Sequence, residues 1–456
     1  MKKIAISIIS FPKNIIIRIN KLIFNFDIKL MFILVEPLLY PSKASYKNLS
    51  INIFFYLLNL RIKQFIKSIF TIIFLILIDI LKIIYFPIII FFYFSRYKFV
   101  QVNYSQIGVL TQSLNVMVKK NLIDGYKSII LIPSHSDFSF IKEIFKNLIV
   151  IDNWLLNILL LPLKHTNLIS CTCKKVDHFL DSNLQLINFS PFSKIFLQYN
   201  LLNKDKDIFE FKNEFKENMH DYFKDNYSEL DLANTFVIHH RERHFNNTSH
   251  LRGSNLSTYL PSIKYLLNKG YGVIRLTHSK SQKLNFKNKL YKEINTDFDF
   301  NKKLQFFILL KCKGFIATDS GPNSIGSLLS IPVYNTNVYG INVNGVNKKS
   351  LYILKKVKLN KKILTYRDLI DLNYYKGYYL CKRYSAKIGF KVIDNNKKEI
   401  LDGLKEFIRL KTMSRPNNAQ IKFKKSLPDY IELKYYLSNI SKVFIKKNTR
   451  LFSGLI

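Results

Sequence analysis

The sequence predicts an α/β protein built on parallel β-sheets, and three observations lead to this prediction. Apolar stretches of strand length alternate with longer amphipathic stretches from about residue 100 to residue 410. This alternation is typical of βαβ units, whose strands run parallel, and a second series of such units begins near residue 231. Hydrophobic residues make up 48% of the 456 residues, which is enough apolar material for two domain cores and argues against a disordered chain.

The first βαβ series is predicted between residues 99 and 230. Its second element is a helix expected to end at Gly125, because glycine is favoured just past a helix C-terminus. Spaced phenylalanines predict a later amphipathic helix. The predicted elements are one or two strands over 99–110, a helix over 111–125, a strand over 128–134, a helix over 136–148 and a helix over 206–227.

The second series is predicted between residues 231 and 410, so that the chain has two α/β domains. In its first helix, Ser257 or Thr258 is the candidate N-terminal cap, and Gly270 marks the C-terminus. Residues 1–98 form a basic N-terminal region, and residues 411–456 form a basic, irregular C-terminal extension without a predicted role. The predicted elements are strands over 235–240, 271–278, 313–318 and 331–337, and helices over 256–270, 300–312, 322–330 and 396–410.

Residues 66–94 form a strongly apolar segment that is long enough to cross a bilayer. Asp79 and Lys82 interrupt it, and charges at mid-bilayer cost about 3 kcal/mol each. Pro87 would kink a helix there, and basic residues flank both ends, as in segments that lie on anionic membranes. We expect a membrane-associated segment, either spanning or interfacial, rather than a buried helix of a soluble fold.

The net charge of +39 predicts attraction to anionic lipid or phosphorylated substrates, although lysine is abundant along the whole chain. The basic residues are scattered and no RNA-binding module is recognisable, so no nucleic-acid partner is expected. The four cysteines are expected to be free thiols, and their spacing predicts no metal site. The cysteines are Cys171, Cys173, Cys312 and Cys381.

The segment 314–337 contains the most informative turn of the sequence. A predicted strand ends at Thr318, and the turn Asp319-Ser320-Gly321 leads into a helix with proline near its first position. Unpaired amide groups and the helix dipole make such a turn a phosphate or diphosphate site, with hydroxyl groups from Thr318 and Ser320 in support. The alternative is an ordinary strand-turn-helix junction whose polar residues only cap the helix.

A second cluster of polar residues follows the strand that begins the second series. It reads His239-His240-Arg241-Glu242-Arg243, and Arg275 lies in the next strand. A guanidinium pairs bidentately with phosphate and can stabilise a leaving diphosphate without a metal, so Arg241, Arg243 and Arg275 are candidate donor-binding residues. The alternative is a solvated loop in which these basic residues pair with Glu242.

Candidate catalytic bases are few. His135 and Asp137 follow the predicted strand 128–134 at its carboxyl end, where open α/β sheets place ligands. His239 and Glu242 are the alternatives from the second series. The motif Asp297-Phe298-Asp299 has the spacing of a metal-binding pair, but it stands just before a predicted helix, where acids are favoured by the dipole.

The segment 318–333 resembles the D-S-G-P region of heptosyltransferase-like enzymes of the GT-B class. Residues 100–410 are similar to a bacterial family of surface-polysaccharide glycosyltransferases, and the strand ending in His239-x-Arg241 also resembles the H-x-R motif of GT-B fucosyltransferases. The shared elements are His239-His240-Arg241-Glu242, Arg252, Tyr259, the strand Gly270–Arg275 and Ser320-Gly321. The N-terminal R-I-G-H element of that family is replaced by Gln106-Ile107-Gly108-Val109, so no catalytic role is expected for it here.

This resemblance implies a GT-B fold with two Rossmann-like domains, of which the first (99–230) would bind the acceptor and the second (231–410) the nucleotide sugar. The apolar residues 66–94 would add an N-terminal membrane-associated helical segment. It implies transfer of a sugar from a nucleotide-sugar donor, without metal or cofactor, to a lipid-linked, lipopolysaccharide or other surface-polysaccharide acceptor. The site would lie at the cytoplasmic face of the plasma membrane. The alternative is a non-catalytic, membrane-associated protein that binds a polyanion or partner on a transferase scaffold.

Overall fold

The computed structural model has an α/β architecture with parallel sheets, as predicted, and its contacts divide the chain into two compact units. Unit 1 comprises residues 1–101, 125–134 and 151–177, and unit 2 comprises residues 102–124, 135–150 and 178–456. The described residues are 73, 76, 80, 84–101, 107–118, 121, 124–131, 140–146, 148–151, 169–171, 177–180, 186–189, 209–242, 253–318, 320–339, 348–372, 389–410, 415–428, 432–434 and 437–456.

Unit 1 contains helix α1 (Phe86–Phe94) and a small parallel sheet. Strand β1 (Tyr97–Gln101) lies between β2 (Lys127–Leu131) and β4 (Ile169–Cys171), while β3 (Ile149–Ile151) straddles the division between the units. One face of α1 packs on the sheet through Tyr85, Ile89 and Phe92. Within the described part of the chain, no helix has both the length and the apolar character needed to cross a membrane.

The first predicted series differs from the structure at its beginning. Residues 107–110 were expected in a strand, but they open helix α2 (Ile107–Ser113), which continues as a π-helical turn (Leu114–Val118). Buried contacts of Leu110 and Leu114 decide this, because a four-residue apolar run fits a buried helix as well as a strand. Gly125 has φ +76°, as the predicted C-cap requires. The next described elements are α3 (Ile141–Ile144), β5 (Asp177–Leu180), β6 (Leu186–Phe189) and α4 (Asn213–Asn226).

Unit 2 is organised around a seven-stranded sheet in which all adjacent strands are parallel. The predicted strands 271–278, 313–318 and 331–337 are present with shifts of one or two residues, because apolar runs bounded by turn residues mark buried strands well. The strands are β7 (Thr235–His239), β8 (Gly272–Thr277), β9 (Tyr291–Asn295), β10 (Gly314–Ala317), β11 (Val333–Val338), β12 (Leu351–Leu354) and β16 (Asn439–Ile440).

Helices cover this sheet, and their apolar faces form its core. The helix predicted over 256–270 is a 3₁₀ turn (Leu256–Thr258) followed by an α-helix, and Asn255, rather than Ser257 or Thr258, supplies the capping side chain. The helices are α5 (Leu260–Asn268), α6 (Asp299–Lys311), α7 (Gly321–Leu328), α8 (Tyr366–Asp371) and α9 (Lys397–Arg409). A three-stranded antiparallel sheet is added by β13 (Lys356–Leu359), β14 (Lys362–Ile363) and β15 (Phe390–Ile393).

The C-terminal residues are part of unit 2 rather than an irregular extension. Helices α10 (Asn418–Ser426) and α11 (Lys442–Lys447) bury Phe423 and Phe444, and the 3₁₀ turn Thr449–Phe452 buries Phe452, in the same core as the central strands. Strand β16 extends the parallel sheet beside β12. The sequence hides this role, because each of these helices carries three lysines and is too short to show a clear apolar period.

Candidate functional site

The strand order of the seven-stranded sheet identifies one edge as the place for a ligand. The order is β16-β12-β11-β10-β7-β8-β9, so the chain moves outward from β7 through β8 to β9 and then crosses to β10 on the other side. The carboxyl ends of β7 and β10 therefore flank the point where the direction reverses. Ligands of open α/β sheets bind in the crevice outside such a switch point.

The predicted residues of both motifs meet at this switch point. His239, the last residue of β7, pairs with Ala317, the last residue of β10. The Ser320 hydroxyl lies 2.9 Å from Nδ1 of His239, and the Arg241 amide donates a hydrogen bond of 2.9 Å to Oγ1 of Thr318. The structure thus brings together Arg241, Thr318 and Ser320, which are far apart in the sequence.

Helix α7 starts directly at the switch point and directs its N-terminus there. Ser320 is its N-cap residue, but the Ser320 hydroxyl bonds His239 and the Thr318 carbonyl oxygen (3.2 Å) instead of capping the helix. Pro322 occupies the first turn, as predicted. An N-terminus without a side-chain cap keeps its positive dipole end available for an anion.

The first turn of α2 packs against this helix start. A β-carbon on Gly108 would lie 2.7 Å from Cα of Gly321, and a β-carbon on Gly321 would lie 2.9 Å from Cγ2 of Ile107. Glycine is therefore required at both positions for the two helix starts to approach so closely. The element Gln106-Ile107-Gly108-Val109, for which no role was expected, contributes to the site through its glycine.

Burial controls the charge of the two histidines at the end of β7. Desolvation holds the pKa of His239 well below its usual value, and the basic side chains of His278, His240, Arg241 and Arg275 lower it further. Burial and then the charge of Arg275 lower the pKa of His240 to about 3. Both imidazoles are neutral at physiological pH. Because His239 is 3% exposed and bonded to Ser320, its geometry favours holding that hydroxyl over accepting a proton from a substrate.

Arg275 was predicted to bind the donor, and the structure places it elsewhere. Its side chain is 1% exposed, and its guanidinium bonds Glu293 at 2.7 Å, Glu242 at 2.9 Å and the Gln282 carbonyl oxygen at 2.6 Å. One cation between two carboxylates leaves a net negative charge, which disfavours a phosphate. The alternative predicted from the sequence was that a basic residue pairs with Glu242. The structure shows this pairing for Arg275.

Glu242 is correspondingly a poor candidate for the catalytic base. Besides its ion pair with Arg275, it accepts a hydrogen bond from the amide of Gln282 at 3.2 Å, and the residue is 8% exposed. Its oxygens are occupied by these partners, so a structural role in holding the segment after β8 explains its position. Of the other predicted site residues, His135, Asp137, Arg243 and Asp319 lie outside the described residues, as does Arg252.

A histidine and an aspartate at the ends of the next two strands were missed by sequence reasoning. His278 directly follows β8, Asp297 lies between β9 and α6, and Nδ1 of His278 is 2.8 Å from Oδ1 of Asp297. Burial alone would raise the pKa of Asp297, but hydrogen bonds from Ser279 and His278 outweigh it and lower that pKa to about 2. The His278 ring centre lies 5.9 Å from that of His239.

The sequence signal for this pair was the position of polar residues directly after two strands. Asp297 was attributed to the helix start together with Asp299. That explanation holds for Asp299, which lies in the first turn of α6 and pairs with Lys302 at 2.7 Å. Among the described residues, no group of three or more histidine, cysteine, aspartate and glutamate side chains is placed to hold a metal ion.

The chain is distantly similar to solved heptosyltransferases. A glycosyltransferase of family 9 from Veillonella parvula matches 69% of this chain and 97% of its own length, with 10% identity and a TM-score of 0.43. Escherichia coli ADP-heptose lipopolysaccharide heptosyltransferase II matches 68% of this chain and 98% of its own length, with 12% identity and a TM-score of 0.36. The heptosyltransferase WaaC of E. coli, solved with ADP, matches 61% of this chain and all of its own, with 12% identity and a TM-score of 0.34. No protein-family model and no curated protein sequence matches this chain.

Proposed function

We propose that this chain is a glycosyltransferase that binds the diphosphate of a nucleotide-sugar donor at the switch point between β7 and β10. One observation carries the proposal. The Ser320 hydroxyl, the start of helix α7 and the Arg241 main chain all meet at the carboxyl edge of these two strands. The start of helix α7 favours an anion, and the hydrogen bond from the Arg241 amide to Thr318 holds this arginine beside it, where its guanidinium would pair with a diphosphate.

Charge at this edge supports the same ligand. Arg241 is one of four basic side chains that lower the pKa of His239 beyond the effect of burial, and the same imidazole contacts the Ser320 hydroxyl. The first turns of α2 and α7 touch through Gly108 and Gly321, which brings two positive helix ends together. A bound diphosphate would relieve this accumulation of positive potential.

The same groups suit the chemistry of sugar transfer. When the bond between the sugar and the diphosphate breaks, negative charge grows on the leaving oxygen. Amide groups at a helix start and a guanidinium stabilise that charge without a metal ion. We propose that the enzyme needs neither a metal nor a cofactor at this step and that the acceptor is a lipid-linked or surface-polysaccharide glycan.

Replacing Arg241 with alanine tests the donor site. We expect the affinity for the preferred donor, selected by thermal shift from UDP-, GDP-, CMP- and ADP-sugars, to fall about tenfold to a hundredfold. The reason is the loss of a charge-assisted hydrogen bond of about 1.5–3 kcal/mol. Isothermal titration calorimetry measures the affinity.

The matched control is Arg415→Ala, because Arg415 is an exposed arginine remote in sequence from both motifs. It should leave the affinity unchanged. Equal affinities of Arg241→Ala and the wild-type chain would remove Arg241 from the site. If no nucleotide sugar binds the wild-type chain, the rival function, binding of a polyanion or protein partner without catalysis, would take precedence.

We further propose that the enzyme works at the cytoplasmic face of the plasma membrane. Helix α1 supports this, because it is apolar on both faces. The side chains of Phe91 and Phe94 in this helix, and of Ile84 just before it, are 65%, 69% and 67% exposed. Apolar side chains on an outer face, in a chain of net charge +39, suit the boundary of an anionic bilayer.

Serine at Ile84, Phe91 and Phe94 together is expected to weaken binding to phosphatidylglycerol vesicles at least tenfold. Burial of each of these side chains in lipid contributes about 1 kcal/mol or more. Co-sedimentation with vesicles measures the bound fraction. The control replaces three exposed apolar residues of unit 2, Ile363, Leu372 and Ile421, with serine, and equal loss in both variants would contradict a specific role of α1.

A further inference from the structure

The catalytic base of the proposed transfer is still to be assigned, because two predicted candidates do not fit and the other two, His135 and Asp137, lie outside the described residues. His239 is buried and bonded to Ser320, and Glu242 is paired with Arg275. The remaining histidine of the described carboxyl edge between β7 and β9 that reaches solvent is His278, whose side chain is 38% exposed. Its partner Asp297 is 42% exposed, so the pair lies at the surface of the edge rather than in the core.

Three properties of this pair are those of an acid–base unit. Asp297 is bonded through Oδ1 to Nδ1 of His278 at 2.8 Å, which fixes the ring orientation. The other carboxylate oxygen accepts a hydrogen bond of 2.7 Å from the Ser279 amide, so the aspartate is itself held in place. Since the Asp297 pKa is lowered to about 2, the carboxylate is ionised at neutral pH and can stabilise an imidazolium.

The pair also has the right neighbours. The His278 ring stands edge-to-face with the His239 ring at 5.9 Å between centres, and His239 touches the Ser320 hydroxyl at 2.9 Å. The base would therefore stand one side chain away from the proposed diphosphate site. In a direct displacement the attacking and leaving oxygens lie on opposite sides of the anomeric carbon, so the base and the diphosphate site must be close neighbours.

We infer that His278 is the general base that activates the attacking hydroxyl and that Asp297 is its positioning residue. This inference rests on the proposed function. Nε2 of His278 takes the proton of the hydroxyl while the oxygen forms a bond to the anomeric carbon. The bond from that carbon to the diphosphate breaks, and its electron pair stays on the diphosphate oxygen. The imidazolium, paired with Asp297, then returns its proton to solvent.

The test uses the full-length chain in detergent and water as the attacking hydroxyl, since hydrolysis of the donor needs no acceptor. With the donor selected by thermal shift, His278→Gln should lower kcat for nucleotide release about a hundredfold, which is within the usual contribution of a general base. KM should stay unchanged, because the diphosphate is held by other groups. Asp297→Asn should also lower kcat at constant KM and constant melting temperature.

His220→Gln is the matched control, because His220 is an exposed histidine on α4. It should behave as the wild-type chain does. A His278→Gln variant with wild-type kcat would overturn the inference, as would a variant in which only KM changes. This result differs from failure of the proposed function, in which no nucleotide sugar raises the melting temperature of the wild-type chain.

A second measurement serves if the bound donor is hydrolysed too slowly to follow. Diethyl pyrocarbonate modifies accessible histidines, and mass spectrometry locates the modified residues. Saturating donor should protect His278 at least tenfold while His220 reacts at the same rate with and without donor. Equal modification of His278 in both conditions would overturn its placement beside the substrate.

Discussion

Methionine in place of Arg275 is expected to lower the free energy of unfolding by about 3 kcal/mol or more, the largest stability effect we predict. The guanidinium is 1% exposed and is shared by Glu242 and Glu293. Its removal leaves two carboxylates near the interior without a cation. The loss of stability is increased by Tyr291, because its hydroxyl also donates a hydrogen bond of 2.7 Å to Glu293 and would lose a well-ordered partner.

The shift of the urea midpoint at constant m-value measures this loss. The decisive comparison is the variant that combines Arg275→Met with Glu242→Gln and Glu293→Gln, which removes all three charges. It should recover at least half of the lost stability, since neutral amides cost less to bury than unpaired carboxylates. If the triple variant is no more stable than Arg275→Met, charge is not the cause. Donor affinity should be similar in the single and the triple variant, because the Arg275 guanidinium is bonded to Glu242, Glu293 and the Gln282 carbonyl oxygen rather than to the donor.

Alanine at Gly108 is expected to have the second large effect, because it acts on stability and on the site together. The new methyl group would lie 2.7 Å from the Gly321 main chain, and no side chain can move aside to relieve that contact. Overpacking of this kind costs about 1–3 kcal/mol. It should also displace α2 from the start of α7 and weaken donor binding by the same helix end.

Gly321→Ala is the natural comparison, since its nearest obstacle is a side-chain methyl group, Cγ2 of Ile107 at 2.9 Å, rather than main chain. Truncation of that side chain in the double variant Ile107→Ala with Gly321→Ala should restore part of the stability. The corresponding double variant with Gly108→Ala should restore none. Unfolding midpoints and calorimetric donor affinities measure both effects, and a Gly108→Ala variant with wild-type values for both would contradict the proposed contact between the helix starts.

Several elements could be predicted because their signals are local. The strand β10 and the helix α7 are recognisable from an apolar run, a turn and a proline within one short segment. Helix α9 shows regular periodicity and begins with a capping box between Asn396 and Glu399. The same reasoning failed for residues 107–110, where a short apolar run is compatible with both a strand and a helix.

The candidate site could be predicted only in part, because its members are brought together by strand pairing. Ser320 and His239 are 81 positions apart, and the pairing of β10 with β7 places them in contact. The motifs predicted that both residues belong to a site, but they did not predict that the two residues contact each other. The contact between His278 and Asp297 was missed for the same reason, since it spans 19 positions and depends on β9 lying beside β8.

The sequence by itself determined the α/β class, the parallel strands and the anion-favouring turn at Ser320, since each depends on the order of neighbouring residue types. Only the tertiary structure distinguishes Arg241 from Arg275. As cations in the sequence the two are equivalent, but the Arg241 main chain is bonded to Thr318 at the switch point, whereas the Arg275 guanidinium is enclosed by two carboxylates. The physical reason is that the energy of a charge depends on its burial and its partners, and both are set by which strands become neighbours.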